Sequence, residues 1–243
     1  MTRLPALLPS NSDAPFPPVS SALDEPDGLL AIGGDLSPTR LLNAYRQGIF
    51  PWFSDGQPIL WWSPDPRVVF HTDATRLSSR FRRLLKTSTW QVRADTAFAD
   101  VIVACANMPR PNQHGTWITD GMLEAYNRLH RLGHAHSVEV FEDERLVGGI
   151  YGLAIGRMFF GESMFSGASG GSKVALAALA HRLHEWQWPL IDAQVENDHL
   201  LTLGAQRMPR DVFVANVAAL SAIAEPRGSW TQRFGTLPAS CLA

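Results

Sequence analysis

The sequence predicts an α+β protein with a mixed, α/β-type sheet, and two observations in its second half support this fold class. Residues 136–155 show polar–apolar alternation interrupted by a two-residue turn, which is typical of a β-hairpin. A third strand over 157–165, a glycine-rich loop at 167–171, a helix over 172–186 and a further strand over 189–195 follow. Strands and helices in this order favour a mixed sheet packed against helices.

Capping residues and apolar spacing predict further helices. One begins after Ser37 as N-cap, with Pro38 in its first position, and is closed by Gly48. The others cover 75–86, 96–106, 120–132 and 212–223. In the first of these four, one arc of apolar residues is expected to face the core: Leu77, Phe81, Leu84 and Leu85.

The composition describes an ordinary globular chain with an uneven beginning. Its 243 residues are 45% hydrophobic and 18% charged, which excludes collagen, a disordered tail and a coiled coil. Residues 1–65 are rich in proline and glycine and carry clustered aromatic residues, whereas the periodic segments come later. We therefore predict a small aromatic-rich N-terminal domain over 1–65 and a larger domain over 66–243.

The cysteines and the N-terminus bear on the compartment. Cys105 and Cys241 lie far apart and form no CxxC pair, which fits a reducing environment. Pro5 and Pro9 interrupt the apolar N-terminus before it becomes a signal-peptide core. No stretch approaches the roughly 20 apolar residues that a spanning helix needs. We expect a cytoplasmic protein that does not enter a membrane.

Charge is distributed unevenly along the chain. A formal net charge of -2 argues, taken alone, against a nucleic-acid binder. The segment from Arg76 to Arg93 nevertheless contains six cationic residues and no Asp or Glu. A solvated face is the usual interpretation of such a run, but cations without acidic neighbours repel one another, which favours an anionic partner such as phosphate.

Several polar or aromatic groups admit both a structural and a functional interpretation. Alternation places Asp192 and Gln194 on one face of an apolar strand, where they form either a satisfied network or part of a site. Glu162 ends an apolar strand and could pair with a cationic substrate; alternatively it is a solvent-facing strand end or pairs with an arginine. The tryptophans around Trp52 could be core or an apolar ligand pocket. The loop 167–171 could bind an anion or be a flexible turn.

The sequence motifs give little support for a metal site or for a catalytic serine or cysteine. His134-x-His136 and His181-x-x-His184 have no Cys or carboxylate at ligand spacing. No GxSxG motif supports a catalytic serine, and Cys105 lies in an apolar helical stretch typical of core. We expect no metal.

Eight segments, in order and spread over nearly the whole chain, give this sequence a clear resemblance to the leucyl/phenylalanyl-tRNA–protein transferases. The segments are GLLAIGGDLS (28–37), YRQGIFPWF (45–53), LWWSPDPR (60–67), GTWIT (115–119), HAHSVE (134–139), GESMFS (161–166), LIDAQ (190–194) and LGA (203–205). Long motifs in this number are not expected to coincide by chance.

The resemblance implies a fold and a reaction. The family has a small N-terminal domain and a C-terminal domain like that of the GNAT acetyltransferases. It moves Leu or Phe, and less readily Met, from an aminoacyl-tRNA to a protein whose N-terminal residue is Arg or Lys. The product is marked for N-end-rule degradation. Because the donor is tRNA, neither coenzyme A nor another cofactor is expected.

The resemblance also implies site residues. Gln194 would contact the attacking α-amino group with support from Asp192, which could also hold the substrate by charge-assisted hydrogen bonds. Glu162 would lie near the aminoacyl group and the acceptor. The aminoacyl pocket would be formed by Trp52, Trp117, Ile150, Phe159, Met164, Leu176, Leu179 and Ile191. The tRNA-binding residues would be Arg76, Arg80, Arg82, Arg83 and Lys86.

One segment departs from the family pattern. Gly167, Ala168 and Gly170 stand where the family usually has arginine, methionine and asparagine, which puts any contact of that arginine in doubt. Two alternatives stay open at this point. One is a coenzyme A-dependent N-acyltransferase of the same fold, and the other is a non-catalytic tRNA-binding protein.

Overall fold

The computed structural model describes residues 4–108 and 116–243. Gly115 of the GTWIT segment lies outside the described residues, and the rest of that segment lies within them. The first part of the chain forms β1 (Ala6–Leu8), β2 (Leu29–Gly33), α1 (Pro38–Tyr45), β3 (Phe50–Pro51) and β4 (Leu60–Trp62). These strands make one four-stranded sheet in the order β1-β2-β4-β3.

Helix α1 begins as predicted. The Ser37 side chain accepts a hydrogen bond from the backbone N–H of Arg40, and Pro38 occupies the first helical turn. Gly48 follows the helix in the left-handed region at φ 73°. The turn at Gly48 leads the chain directly into β3, which places Phe50 and Trp52 beside the second sheet.

The remainder of the chain contributes a sheet of eight strands. They are β5 (Arg67–His71), β6 (Gln91–Ala94), β7 (Ala135–Glu142), β8 (Arg145–Ile155), β9 (Met158–Ser166), β10 (Leu190–Gln194), β11 (Gln206–Met208) and β12 (Leu237–Pro238). Their order is β11-β5-β10-β9-β8-β7-β6-β12. Because β10 runs parallel to β9 and antiparallel to β5, the sheet is mixed. The predicted α+β class and the hairpin are confirmed.

Seven helices accompany this sheet within the described residues. They are α2 (Ser79–Leu85), α3 (Phe98–Asn107), α4 (Asp120–Arg131), α5 (Gly171–Glu185), α6 (Asp198–Thr202), α7 (Arg210–Ser221) and α8 (Thr231–Phe234), with 3₁₀ turns at Val19–Ser21 and Ala239–Leu242. The helices predicted over 96–106, 120–132, 172–186 and 212–223 are confirmed to within about two residues. None of the described helices is long and apolar enough to cross a membrane.

Helix α2 is shorter than predicted, and its apolar face is different. The Ser78 side chain caps it, so Arg76 lies before the helix rather than on it. Leu85 is buried, whereas Leu84 is 61% exposed. Phe81 and Leu85 share one face at i, i+4, and the neighbouring Leu84 is turned about 100° away from it. The expectation that Leu84 faces the core was therefore wrong.

Two core clusters hold the molecule together. One contains residues from both parts of the chain, among them Leu41 and Trp61 from the first and Phe98 and Phe160 from the second. The other lies between α5 and the opposite face of the large sheet. The proposed domain boundary near Asp65 stays a prediction.

Candidate functional site

A cavity of about 450 Å³ opens where β3 meets the ends of β9 and β10. Its apolar wall includes six of the eight predicted pocket residues, namely Trp52, Trp117, Ile150, Met164, Leu176 and Ile191. Phe50 and Phe70 also line this wall and were not among the eight residues. Phe50 is two residues before Trp52, so period-two alternation offered a signal for it. Glu162, Asp192 and Gln194 lie on its polar side, together with Ser163, Glu196 and Asn197.

Two predicted pocket residues, Phe159 and Leu179, do not line the cavity. Both are almost fully buried in the core cluster that also contains Ile191. Phe159 is the register partner of Ile191 on the neighbouring strand, and its ring lies 5.8 Å from that of Trp230, which lines a different cavity. Leu179 is three residues beyond Leu176 on α5, nearly one turn farther along the helix.

Asp192 is held by an arginine that the sequence interpretation did not include. Arg67 Nε lies 2.8 Å from Asp192 Oδ1, and Nη2 lies 2.7 Å from Oδ2. Both side chains are completely buried. Arg67 Nη1 also donates to the carbonyl oxygen of Gly48, at 3.2 Å. Both carboxylate oxygens of Asp192 are therefore bonded to Arg67, while the contact of Asp192 with the substrate stays a prediction.

Gln194 occupies an unusual backbone conformation beside Asp192. Its φ is 61°, in the left-handed region, and the pairing of β10 with β5 shifts register between the two residues. This irregular end replaces the regular alternation expected from the sequence. The Gln194 backbone N–H donates to Asp192 Oδ1 at 2.9 Å, and its side-chain Nε2 donates to Glu162 Oε1 at 2.8 Å. The amide is thus fixed at two points, with Oε1 left as its acceptor atom.

Glu162 is a buried carboxyl with three polar partners. Tyr45 Oη donates to Oε1 at 2.6 Å and Tyr126 Oη donates to Oε2 at 3.0 Å. The two tyrosine hydroxyls also lie within hydrogen-bond distance of each other. Because each hydroxyl has one proton, all three contacts can be hydrogen bonds at once only when Glu162 carries a proton as well. Burial raises the pKa of Glu162 from 4.5 to about 7, against the lowering effect of both tyrosines, and the charge of Asp192 raises it further. Glu162 therefore titrates near neutral pH.

Neither alternative raised for Glu162, an arginine pair or an exposed strand end, matches this environment. The two tyrosines were missed because each comes from a helix whose spacing predicts an ordinary core position. Burial, followed by the Glu162 charge, raises the pKa of both tyrosines well above its ordinary value. They remain neutral hydrogen-bond donors.

Comparison with known proteins bears on the whole arrangement. A family described as leucyl/phenylalanyl-tRNA protein transferase matches residues 69–218, and the N-terminal domain described for the same transferase matches residues 34–65. The chain belongs to this family. A leucyl/phenylalanyl-tRNA–protein transferase of Xanthomonas campestris pv. campestris (strain B100) is 71% identical over 240 residues, covering 99% of this chain and 96% of the relative. One from Xylella fastidiosa (strain M23) is 64% identical over 235 residues, covering 97% of each.

Likeness to solved structures is slight. A functionally unknown conserved protein from Staphylococcus epidermidis ATCC 12228 superposes with a TM-score of 0.42 at 8% identity, covering 74% of this chain and 68% of that one. The mixed sheet rests on the strand pairing described above, and the GNAT-like assignment is not decided by this likeness.

In this transferase family member, the five predicted tRNA-binding cations are all exposed, in α2 or close to its ends. We call Arg76, Arg80, Arg82, Arg83 and Lys86 the basic surface. Within the part of the chain that the structure describes, none of the five forms an ion pair with an acidic side chain. Phe81 of the same helix packs against the glycine-rich loop and lies 5.8 Å from Lys173 Nζ.

The geometry of the loop 167–171 favours glycine at position 170. Its φ is 90°, and a Cβ placed there would lie 2.5 Å from the Phe81 ring. Glycine avoids both the backbone strain and the clash. No cluster of three or more metal-ligating side chains occurs among the described residues.

Proposed function

We propose that this chain transfers Leu or Phe, and less readily Met, from aminoacyl-tRNA to the N-terminal Arg or Lys of acceptor proteins. The product would be marked for N-end-rule degradation. The observation that carries the proposal is the Gln194 amide, fixed by Asp192 and Glu162 at the polar side of an apolar cavity. Family membership over nearly the full chain supports the type of reaction.

The reaction joins an amine to an activated ester. The neutral α-amino nitrogen of the acceptor attacks the aminoacyl carbonyl carbon, the new C–N bond forms, and the C–O bond to the tRNA ribose breaks. The ribose oxygen leaves as a hydroxyl with the proton that the amine loses. Gln194 Oε1 accepts a hydrogen bond from the amine and aligns its lone pair with the ester. Alignment of this kind supplies much of the acceleration in acyl transfer.

Asp192 and Glu162 act through Gln194. Asp192 fixes its backbone and Glu162 its amide nitrogen, so the acceptor oxygen is positioned before substrate binds. An amide is a very weak base, so this role is positioning. Glu162, with its pKa of about 7, can take up the proton that the acceptor's α-ammonium group releases on becoming the neutral amine, whereas the proton lost during bond formation goes to the ribose oxygen.

The apolar wall accounts for the donor preference. Trp52, Trp117, Met164, Leu176 and Ile191 offer no counter-charge to a charged aminoacyl side chain, and burying an unpaired charge is costly. An apolar pocket discriminates weakly between side chains of similar size. Leu, Phe and Met are therefore accepted together, with shape setting their order.

Three further statements belong to the same proposal. The basic surface binds the tRNA acceptor stem through phosphates, as its exposed and unpaired cations suggest. Residues 66–243 form a GNAT-like catalytic domain and residues 1–65 a small N-terminal domain. The protein acts in the cytoplasm, where aminoacyl-tRNA is made.

A direct assay tests the proposal. The full chain is incubated with labelled Phe-tRNA and either of two peptides that differ only in an N-terminal Arg or Glu. We expect label in the Arg peptide and little in the Glu peptide. No label in the Arg peptide over a wide range of enzyme concentration overturns the proposal. A rise in melting temperature with acetyl-coenzyme A, together with acetylation of the peptide, would favour the coenzyme A alternative.

A further inference from the structure

A second cavity of about 310 Å³ lies at the other end of β10 from Gln194. Its polar lining includes Arg46, His134, His136, Trp188, Ser221 and Arg227, together with Glu225. Trp188 precedes β10 and Gln194 ends it, six residues apart, which corresponds to roughly 20 Å along a strand. The transfer reaction uses none of these side chains.

Positive charge in this cavity exceeds negative charge. Arg46 and Arg227 are exposed at its edge, and neither has an acidic partner among the described residues. Glu225 is the one carboxylate in the described lining. Its Oε1 lies 2.8 Å from Arg157 Nε and its Oε2 lies 3.1 Å from Arg233 Nη1, so its charge is already balanced.

The two histidines are part of the same wall. His136 Nδ1 lies 2.8 Å from Asp95 Oδ2, and its ring stacks on Trp230 at 4.0 Å. Because Asp95 occupies Nδ1, the other ring nitrogen of His136 is the one left for a ligand. His134 is half-buried, and burial first, then the charges of Arg227 and Arg46, lower its pKa. The guanidinium groups thus create a positive potential in the cavity, and a bound anion would reduce it.

Two buried donors in the lining lack acceptors. Trp188 is 2% exposed, and its Nε1 has no hydrogen-bond partner within residues 4–108 and 116–243. The Oγ of Ser221 is likewise buried and unpartnered in this part of the chain. Buried polar groups are almost always paired in folded proteins. An indole N–H can only donate, so its missing partner is an acceptor.

We propose that this second cavity binds a phosphate group, carried either by an RNA backbone or by a small phosphorylated molecule. Two guanidinium groups, an indole N–H and a hydroxyl offer more donors than the two oxygens of a carboxylate use, and they suit the several oxygens of phosphate. The volume lies at the lower end of the range for small-molecule sites, roughly 300–1,000 Å³. The proposal does not depend on the transfer reaction.

Titration of the full chain with inorganic phosphate tests the site. The readouts are the ¹⁵N-labelled imidazole signals of His134 and the indole N–H signal of Trp188, assigned with Trp188→Phe. We expect both to shift together along a one-site saturation curve, and Arg227→Ala to weaken the affinity about tenfold or more. Arg145→Ala is the matched control, because it removes an exposed arginine at the opposite end of β8 and should leave the affinity unchanged.

A second arm separates the two sources of phosphate. If the group belongs to RNA, uncharged tRNA displaces inorganic phosphate from the His134 signal, and Arg227→Ala lowers the salt dependence of tRNA binding by about one phosphate contact. If it belongs to a small molecule, tRNA leaves that signal unchanged and Arg227→Ala binds tRNA as well as Arg145→Ala does. Either outcome supports the site. Equal phosphate affinity in Arg227→Ala and Arg145→Ala, or no saturable shift, overturns it and leaves a cavity filled by water.

Discussion

Arg67 and Asp192 form a two-point ion pair in the interior of the protein, with Nε–Oδ1 and Nη2–Oδ2 distances of 2.8 and 2.7 Å. The Arg67 guanidinium also lies between the rings of Phe50 and Phe213, at 4.5 and 4.7 Å from their centroids. The pair thus connects β5 and β10 with the chain around β3 and with α7. Its effect on the site is indirect, because Asp192 in turn fixes the backbone of Gln194.

This relationship predicts that Arg67→Met is severely destabilising. The substitution leaves Asp192 buried without a counter-charge, which costs about 3–5 kcal/mol of unfolding free energy. Arg67→Lys keeps the charge but loses the two-point geometry, so we expect a smaller loss of stability and a large loss of Phe transfer per folded molecule. Urea unfolding and the transfer assay measure the two effects. Arg207→Met is the control for stability, since Arg207 makes a similar two-point pair with Glu196 at an exposed position and should matter much less.

Gln194→Gly separates the amide from the backbone that carries it. Glycine tolerates φ 61°, so the strain relieved offsets the lost hydrogen bond to Glu162, and we expect the unfolding free energy to change by no more than about 1 kcal/mol. Phe transfer should fall at least a hundredfold, because the amine loses its acceptor. Gln187→Gly is the matched control, as Gln187 has φ 63° at an exposed position remote from the first cavity. Equal transfer in both variants would contradict the role given to Gln194.

The raised pKa of Glu162 predicts that the unfolding free energy depends on pH. Its pKa is about 7 in the folded protein and 4.5 ordinarily, so the folded state binds this proton more tightly than the unfolded chain. The resulting stabilisation is fully present below pH 4.5 and is lost as the pH rises to about 7, a change of roughly 3 kcal/mol. Glu162→Gln should remove this part of the slope when unfolding is measured between pH 4.5 and 7.

Glu139 provides the control for that experiment. Burial raises its pKa to about 7 as well, but its partners are Thr96 and Ser137, outside the first cavity. Glu139→Gln should flatten the same pH range without changing Phe transfer. Glu162→Gln should lower transfer about tenfold, because a neutral acceptor holds the Gln194 amide less strongly. A pH-independent unfolding free energy in the unmodified chain would contradict both assignments.

Local signals predicted much of the fold. Ser37 with Pro38, the hairpin over 136–155 and the glycine before α5 each combine a turn or cap with the matching period, and all three lie where expected. Short elements escaped prediction. Helix α6 has five residues and α8 has four, too few for an apolar period to be detected.

The sequence could predict the site residues that lie in recognisable strand motifs, but it could not predict partners that the fold brings in from distant segments. Asp192, Gln194 and Glu162 come from two neighbouring strands, and the family resemblance named them. Arg67 could not be found from spacing, because its partner lies 125 residues away. Phe159 and Leu179 lie in the core and not on the cavity wall, a difference that the sequence does not reveal, because an apolar residue beside a pocket and one in the core behind it have the same sequence signature.

The basic surface predicts a salt-dependent loss of tRNA binding. Arg80→Ala combined with Arg83→Ala removes two exposed cations of α2, so the slope of log affinity against log salt should fall by up to about 2. Arg128→Ala combined with Arg131→Ala removes the same charge from exposed positions of α4 and is the control. Filter binding of uncharged tRNA at several salt concentrations gives both slopes. Identical slopes for the two double variants would show that the basic surface does not bind tRNA and is an ordinary solvated face.

From the apolar wall of the first cavity we predict that substitutions of pocket residues and of core residues have different effects on transfer and on stability. Trp52 is 39% exposed, so Trp52→Ala should cost little unfolding free energy but impair Phe transfer strongly, and Phe more than Leu, because the larger side chain loses more contact. Phe159 is 1% exposed and does not line the cavity, so Phe159→Ala should cost about 3–5 kcal/mol. Its transfer rate per folded molecule should stay within a few-fold of the unmodified chain. Unfolding curves and transfer rates for the two variants, measured at a temperature where both are folded, decide the matter. If Trp52→Ala loses stability as Phe159→Ala does, while the ratio of Phe to Leu transfer stays constant, Trp52 is a core residue and the aminoacyl side chain binds elsewhere.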